Sequence, residues 1–247
     1  MDWQTVAILA GAFFAAGAVK GVVGLGLPTV SLALLCIAFD ISTAMALLLA
    51  PSLLTNIWQS FGGSSPLSLF RTLWPFYCLS SLAVGVGVYA FGFIEAAAAE
   101  QVLGLLLVLY SAVSIFGLRF TIPEGQTGLA GGMAGLLTGM LTGMTGSFVV
   151  PSVMFLQSIR LTVSEFAQAT GLLFSLLTIS LGLSLFVAGR LSIDVGLFSM
   201  AGVVPAFLGM TLGYRIRARL KEELFRLLLN LGLLMIGSGM LIGGTSV

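Results

Sequence analysis

Eight apolar segments, at about 4–39, 42–61, 73–93, 98–118, 127–158, 163–188, 194–213 and 224–243, follow one another with only short polar joints between them. A helix needs about 20 apolar residues to cross the hydrocarbon core of a bilayer. Backbone in lipid must satisfy its own hydrogen bonds, so only helices and closed barrels span, and a barrel would show short alternating segments instead. The chain therefore reads as all-α, a polytopic helical membrane protein. Its composition agrees: 58% of the 247 residues are hydrophobic and 8% are charged, against about 25% charged in soluble domains. The joints hold no soluble domain. The start has no basic run, Asp2 being the only charge before Lys20, so it is expected to be kept as a span and not cleaved as a signal.

Two segments do not fit the simple pattern. The first and fifth exceed thirty residues, and each carries a glycine-rich interruption that ends near a proline, "KGVVGLGLPTVS" and "TGMLTGMTGSFVVP". The order long-broken, short, short, short then occurs twice, which divides the chain into repeats at 1–122 and 123–247. At an offset of 122, Ser42 falls on Ser164 and Gly117 on Gly239, although the glycine-rich stretches do not keep that offset. If each long segment is a pair of half-helices entering and leaving on one side, each repeat crosses three times and the two repeats are inverted. If each crosses once, the repeats are parallel. The excess of Lys and Arg on cytoplasmic loops separates the two. The run 214–226, with Arg215, Arg217, Arg219, Lys221 and Arg226, is expected to be cytoplasmic. Inversion puts Arg71, Arg119 and Arg160 on the same side and leaves Arg190 opposite, whereas parallel repeats move Arg71 and Arg119 across. Two inverted repeats, each a glycine-broken segment followed by three transmembrane helices, is the expectation.

A break in a membrane helix frees N–H and C=O groups that lipid cannot satisfy, so it survives only beside protein or a wet cavity. The N-terminus of a half-helix offers free donors and a partial positive charge, which suits an anion. Paired breaks in duplicated halves point to a transporter's substrate site near the midplane. The candidate ligand groups are Lys20, Gly24, Gly26, Pro28 and Thr29 around the first break. Around the second they are Gly143, Thr145, Gly146 and Ser147, and Asn56, Gln59 and Gln168 lie at similar depth on the second and sixth segments. Each has a plainer reading. Gly17 and Gly21, and Gly131, Gly135, Gly139 and Gly143, have the four-residue spacing of close helix packing. Lys20 could snorkel to an interface. The amides could be interhelical hydrogen bonds worth about 0.6 kcal/mol each.

Several chemistries find no residues here. The chain has no histidine, and no mid-span pair of acids for hydrolysis within the membrane. All its carboxylates fall near segment ends, Glu165 being the least unsuited to carry a proton. Cys36 and Cys78 lie in apolar stretches and read as small hydrophobes, not a metal pair. A net charge of +1 gives nucleic acid nothing to bind. No cofactor, metal or catalytic residue is expected, and the partners are the bilayer and a small anion.

With "GAVKGVVGLGLP" and "GLLTGMLTGMTGSFVVP" opening its two halves, the chain resembles the sulfite exporter family (TauE/SafE), also called the toluene-sulfonate uptake permeases. The likeness spans essentially the whole length. Members typically show a fuller G-x-G-G-G run before the proline, and "GLGLP" and "GMTGS" are degenerate copies of it. The resemblance implies transport of small sulfur-containing anions, of the sulfite or sulfonate type, across the cell inner membrane. The expected function is export by alternating access. An anion channel, or an uptake permease for a small carboxylate, is the alternative, and a homodimer is left open.

Overall fold

The computed structural model describes residues 3–62, 66–117, 121–123, 125–217 and 222–243, and among them every regular element is an α-helix. Asp2, Arg119, Arg219 and Lys221, which entered the charge argument, lie outside the described residues. In chain order the helices are α1 (Trp3–Val23), α2 (Leu27–Leu35), α3 (Ile41–Leu47), α4 (Leu49–Ser60), α5 (Pro66–Phe91) and α6 (Ala96–Phe116). There follow α7 (Thr127–Thr145), α8 (Ser152–Ser158), α9 (Val163–Val187), α10 (Ile193–Ala201), α11 (Val203–Arg217) and α12 (Glu222–Gly243). By length and composition α1, α5, α6, α9, the joined α10–α11 and α12 can cross a membrane, and α3–α4, bent by 43°, adds a seventh if the pair counts as one span. The chain is a polytopic helical membrane protein.

The bend has a definite cause. Pro51 has no N–H and its ring crowds the carbonyl four residues back, that of Leu47, which is where α3 stops. The freed groups are covered from α10. Ser199 Oγ donates to the Leu47 carbonyl at 2.7 Å and accepts from the Ala50 N–H at 2.9 Å. One buried hydroxyl thus heals a break that lipid could not. Pro205 has the same relation to Ala201, the last residue of α10.

The first and fifth segments are both broken, with proportions that correct the expectation of two half-helices. α1 has 21 residues and α2 nine; α7 has 19 and α8 seven. The helices run on through their upstream glycines because those residues serve packing. A Cβ on Gly17 would lie 2.1 Å from the Ala206 carbonyl oxygen, and one on Gly21 2.3 Å from that of Met210. Gly139 and Gly143 meet the carbonyls of Ser80 and Val84 in the same way, at 2.1 and 2.2 Å. The backbones of α1 and α11, and of α7 and α5, therefore touch, and in both pairs the residue numbers rise together, so each pair is parallel.

Two other pairs run antiparallel. Ser52 of α4 reaches Thr178 of α9, while Gln59 reaches Ala167, further toward the start of α9. Gly104 of α6 and Gly237 of α12 approach each other's carbonyls, and Ser114 further along α6 meets Asn230 further back on α12. The buried core, which includes Phe13, Leu32, Met45, Phe76, Phe148 and Phe174, lies between these four pairs.

Candidate functional site

The buried side of α1 carries Leu9, Ala12, Phe13, Ala16, Gly17, Lys20 and Gly21, a stripe at helical spacing that points Lys20 inward with the apolar residues. Lys20 is 1% exposed, so it does not snorkel. Its Nζ donates to Thr55 Oγ1 at 3.2 Å and to Asn56 Oδ1, both on α4. Positions 52, 55, 56 and 59 fall on one face of α4, and Asn56 Nδ2 donates to Ser52 Oγ at 3.1 Å. Ser52 Oγ in turn lies 3.2 Å from Thr178 Oγ1 on α9. A polar chain from Lys20 through Asn56 and Ser52 to Thr178 thus links α1, α4 and α9 through an apolar interior. An ammonium carries three donors, and these hydrogen bonds use two. Both acceptors are neutral.

Immediately after Lys20 the helix ends. Gly24 (φ 82°) and Gly26 (φ 102°) take left-handed conformations that only glycine adopts without strain. Pro28 in the first turn of α2 fits there because an N–H at that position would have no intrahelical partner. Thr29, also in that first turn, is 2% exposed, and its hydroxyl has no hydrogen-bond partner among the described residues. A buried polar atom without a partner costs about 1–3 kcal/mol. Of the residues the sequence singled out, Lys20 and Asn56 meet by a hydrogen bond, and Gly24, Gly26, Pro28 and Thr29 lie along the break that follows Lys20.

Gln59 and Gln168 have a different task. Gln59 Nε2 lies 3.1 Å from the Gly24 carbonyl, 2.8 Å from that of Ala167 and 3.1 Å from Thr170 Oγ1. Gln168 Nε2 donates to the Ser60 carbonyl at 2.9 Å. The two amides form a reciprocal clasp between the end of α4 and the start of α9, and Gln59 also caps the exposed carbonyl of the break. For them the interhelical reading holds.

The second break is not a copy of the first. Gly143 is corrected: it lies inside α7 against α5, and the break begins at Gly146 (φ 73°). Thr145 Oγ1 donates to the Leu141 carbonyl and accepts from the Ser147 N–H, while Thr142 Oγ1 donates to the Ser147 carbonyl. The Thr145 hydroxyl and the backbone N–H and carbonyl of Ser147 are thus answered at the loop, and Leu32 and Met45 pack over Gly146. Glu165 is likewise corrected as a proton carrier, since it is engaged in an exposed capping box with Thr162. Ser52 and Thr55 escaped notice in the sequence, although the four-residue spacing of Ser52 from Asn56 and of Thr55 from Gln59 was there to be read. Glu100 escaped too; it lies near the start of α6, yet it is 5% exposed.

Comparison with known proteins bears on what such a centre serves. No curated protein and no solved structure matches the chain. The model of the family described as "Sulfite exporter TauE/SafE" matches residues 9–240, taking in both breaks, the Lys20 centre and all but the last turn of α12. The chain belongs to the TauE/SafE sulfite exporter family of integral membrane transporters.

Proposed function

We propose that the protein is an anion carrier whose binding centre is the first break, with Lys20, Thr29 and Asn56 as ligand groups and a small sulfur oxyanion as the solute. The observation that carries this is Lys20, a buried amine held by two neutral oxygens and placed at a break in the helix. Burying a charge without a counterion is costly, and charges inside membranes usually mark a pathway. An anion at the break supplies the missing countercharge. It receives the remaining Lys20 donor, the Thr29 hydroxyl and the free N–H groups at the start of α2. Recognition by neutral groups and one amine is also compatible with release, which a carrier requires.

The helix pairs support a two-fold relation between the halves. Exchanging α1 with α7, α5 with α11, α4 with α9 and α6 with α12 maps the parallel pairs on each other and each antiparallel pair on itself. Equivalent helices that cross the bilayer antiparallel require an axis in the membrane plane, which is the inverted arrangement. Placing the 214–226 run in the cytoplasm puts Arg71 and Arg160 on the same side. Inverted repeats suit alternating access because either half can adopt the other's conformation. Export of an anion needs no coupling ion, since an inside-negative potential favours outward movement by about 2.3 kcal/mol per charge per 100 mV.

The test is a thermal-shift screen of the purified protein against sulfite, sulfonates, sulfate and small carboxylates. A ligand of the folded state raises its apparent stability. Sulfite or a sulfonate should raise the melting temperature with saturation; a shift by carboxylates alone would refute the sulfur assignment.

A further inference from the structure

A cleft of about 1050 Å³ opens where α6 ends and where α9 and α12 begin, bounded on its inner side by α8. Among the described residues its lining includes Arg226 and no carboxylate. One wall is a polar ladder. Arg226 is on the first turns of α12, and Asn230 is one turn deeper. Asn230 Nδ2 donates to Ser114 Oγ at 2.8 Å, and Tyr110 lies one turn deeper again on the antiparallel α6. The facing wall is largely apolar, with Met154 of α8 and Phe166 of α9. Asn230 is 4% exposed, yet its Oδ1 has no partner among the described residues, which leaves an acceptor for a proton of a ligand or of its water.

We propose that this cleft is a second anion station, in which Arg226 captures a small soluble oxyanion at the cytoplasmic end and the ladder of Asn230, Ser114 and Tyr110 hydrates it on its way inward. The assignment rests on the carrier reading, but it concerns different residues. A lipid phosphate offers the same head chemistry. A lipid would however present an acyl chain to the deeper part of the cleft, and there polar groups continue for two turns beyond Arg226. A hydrated anion uses such groups; a hydrocarbon tail does not.

The experiment uses the full chain with Cys36→Ala and Cys78→Ala, and Gln157→Cys as a reporter on the α8 wall. Labelling of that thiol is timed in nanodiscs of neutral lipid, with and without methanesulfonate. Methanesulfonate should slow labelling several-fold; adding Arg226→Gln should abolish the protection, Arg226→Lys should restore it, and Lys20→Met should leave it in place. In proteoliposomes loaded with sulfite, Arg226→Gln should raise the half-saturation for efflux about five-fold at low ionic strength, the difference shrinking at high salt. The proposal is overturned by no protection, by protection that survives Arg226→Gln, or by protection that appears only with anionic lipid in the disc. Protection with an unchanged Lys20→Met flux would instead sink the carrier centre and keep the cleft.

Discussion

At Lys20 a single missing carboxylate decides the chemistry. The amine leans on Thr55 and Asn56, whose oxygens are neutral, and on the proposed carrier reading the solute supplies the countercharge. Asn56→Asp would supply it internally. We expect that variant to melt no lower than the parent and to lose its anion-induced shift; a retained shift would show that the solute binds elsewhere. Thr29→Val separates binding from folding in another way. Its hydroxyl has no partner among the described residues, and replacing an unsatisfied buried polar group with an apolar isostere is close to neutral for stability. The melting temperature should hold while the apparent affinity for sulfite falls several-fold in a titration. A large loss of stability would mean that the hydroxyl has a structural role. Lys20 and Asn56 were legible in the sequence, because a lysine and an amide are conspicuous in apolar segments. Ser52 and Thr55 were not, since helical hydroxyls usually bond back to their own backbone, as Thr55 does to the Pro51 carbonyl at 2.7 Å. Only the fold shows them linking three helices.

Among the elements, the breaks are held by specific partners and the spans by backbone contact. Ser199→Ala would strip the Leu47 carbonyl and the Ala50 N–H of their partner at the α3–α4 bend. Two backbone groups left bare inside a membrane protein predict a loss of about 2–4 kcal/mol, read as a lowered melting temperature in detergent. Gly17→Ala and Gly139→Ala each drive a methyl to 2.1 Å from a backbone oxygen and should cost about 1–3 kcal/mol by overpacking. Gly128→Ala, with no atom within 4 Å, is the control and should change little. The order of the apolar segments could be read from hydropathy alone. The lengths of α1 and α7 could not, because glycine at four-residue spacing signals both packing and breaking, and only the neighbour across the seam distinguishes them. Position settles it: Gly143 faces Val84, whereas Gly146 turns the chain.

For the whole molecule, the proposed inverted arrangement fixes the side on which each joint lies. The joint between α5 and α6 should then face outward and that between α8 and α9 inward. With native cysteines replaced, Phe93→Cys should react with an impermeant thiol reagent added to intact cells, and Arg160→Cys should react only after the membrane is opened. Labelling of both from one side would exclude the inverted arrangement. The sequence could propose the two-fold relation from segment order, but residue identity between the halves was too weak to align them. The difference between the breaks was hidden for the same reason, as a duplicated outline leaves each copy free to lose or keep its polar groups. Flux in proteoliposomes tests the Lys20 centre most directly. Parent protein should carry sulfite with saturation, and Lys20→Met, purified as a folded species, should carry it no faster than empty vesicles. Sulfite flux through Lys20→Met at the parent's rate would contradict the account.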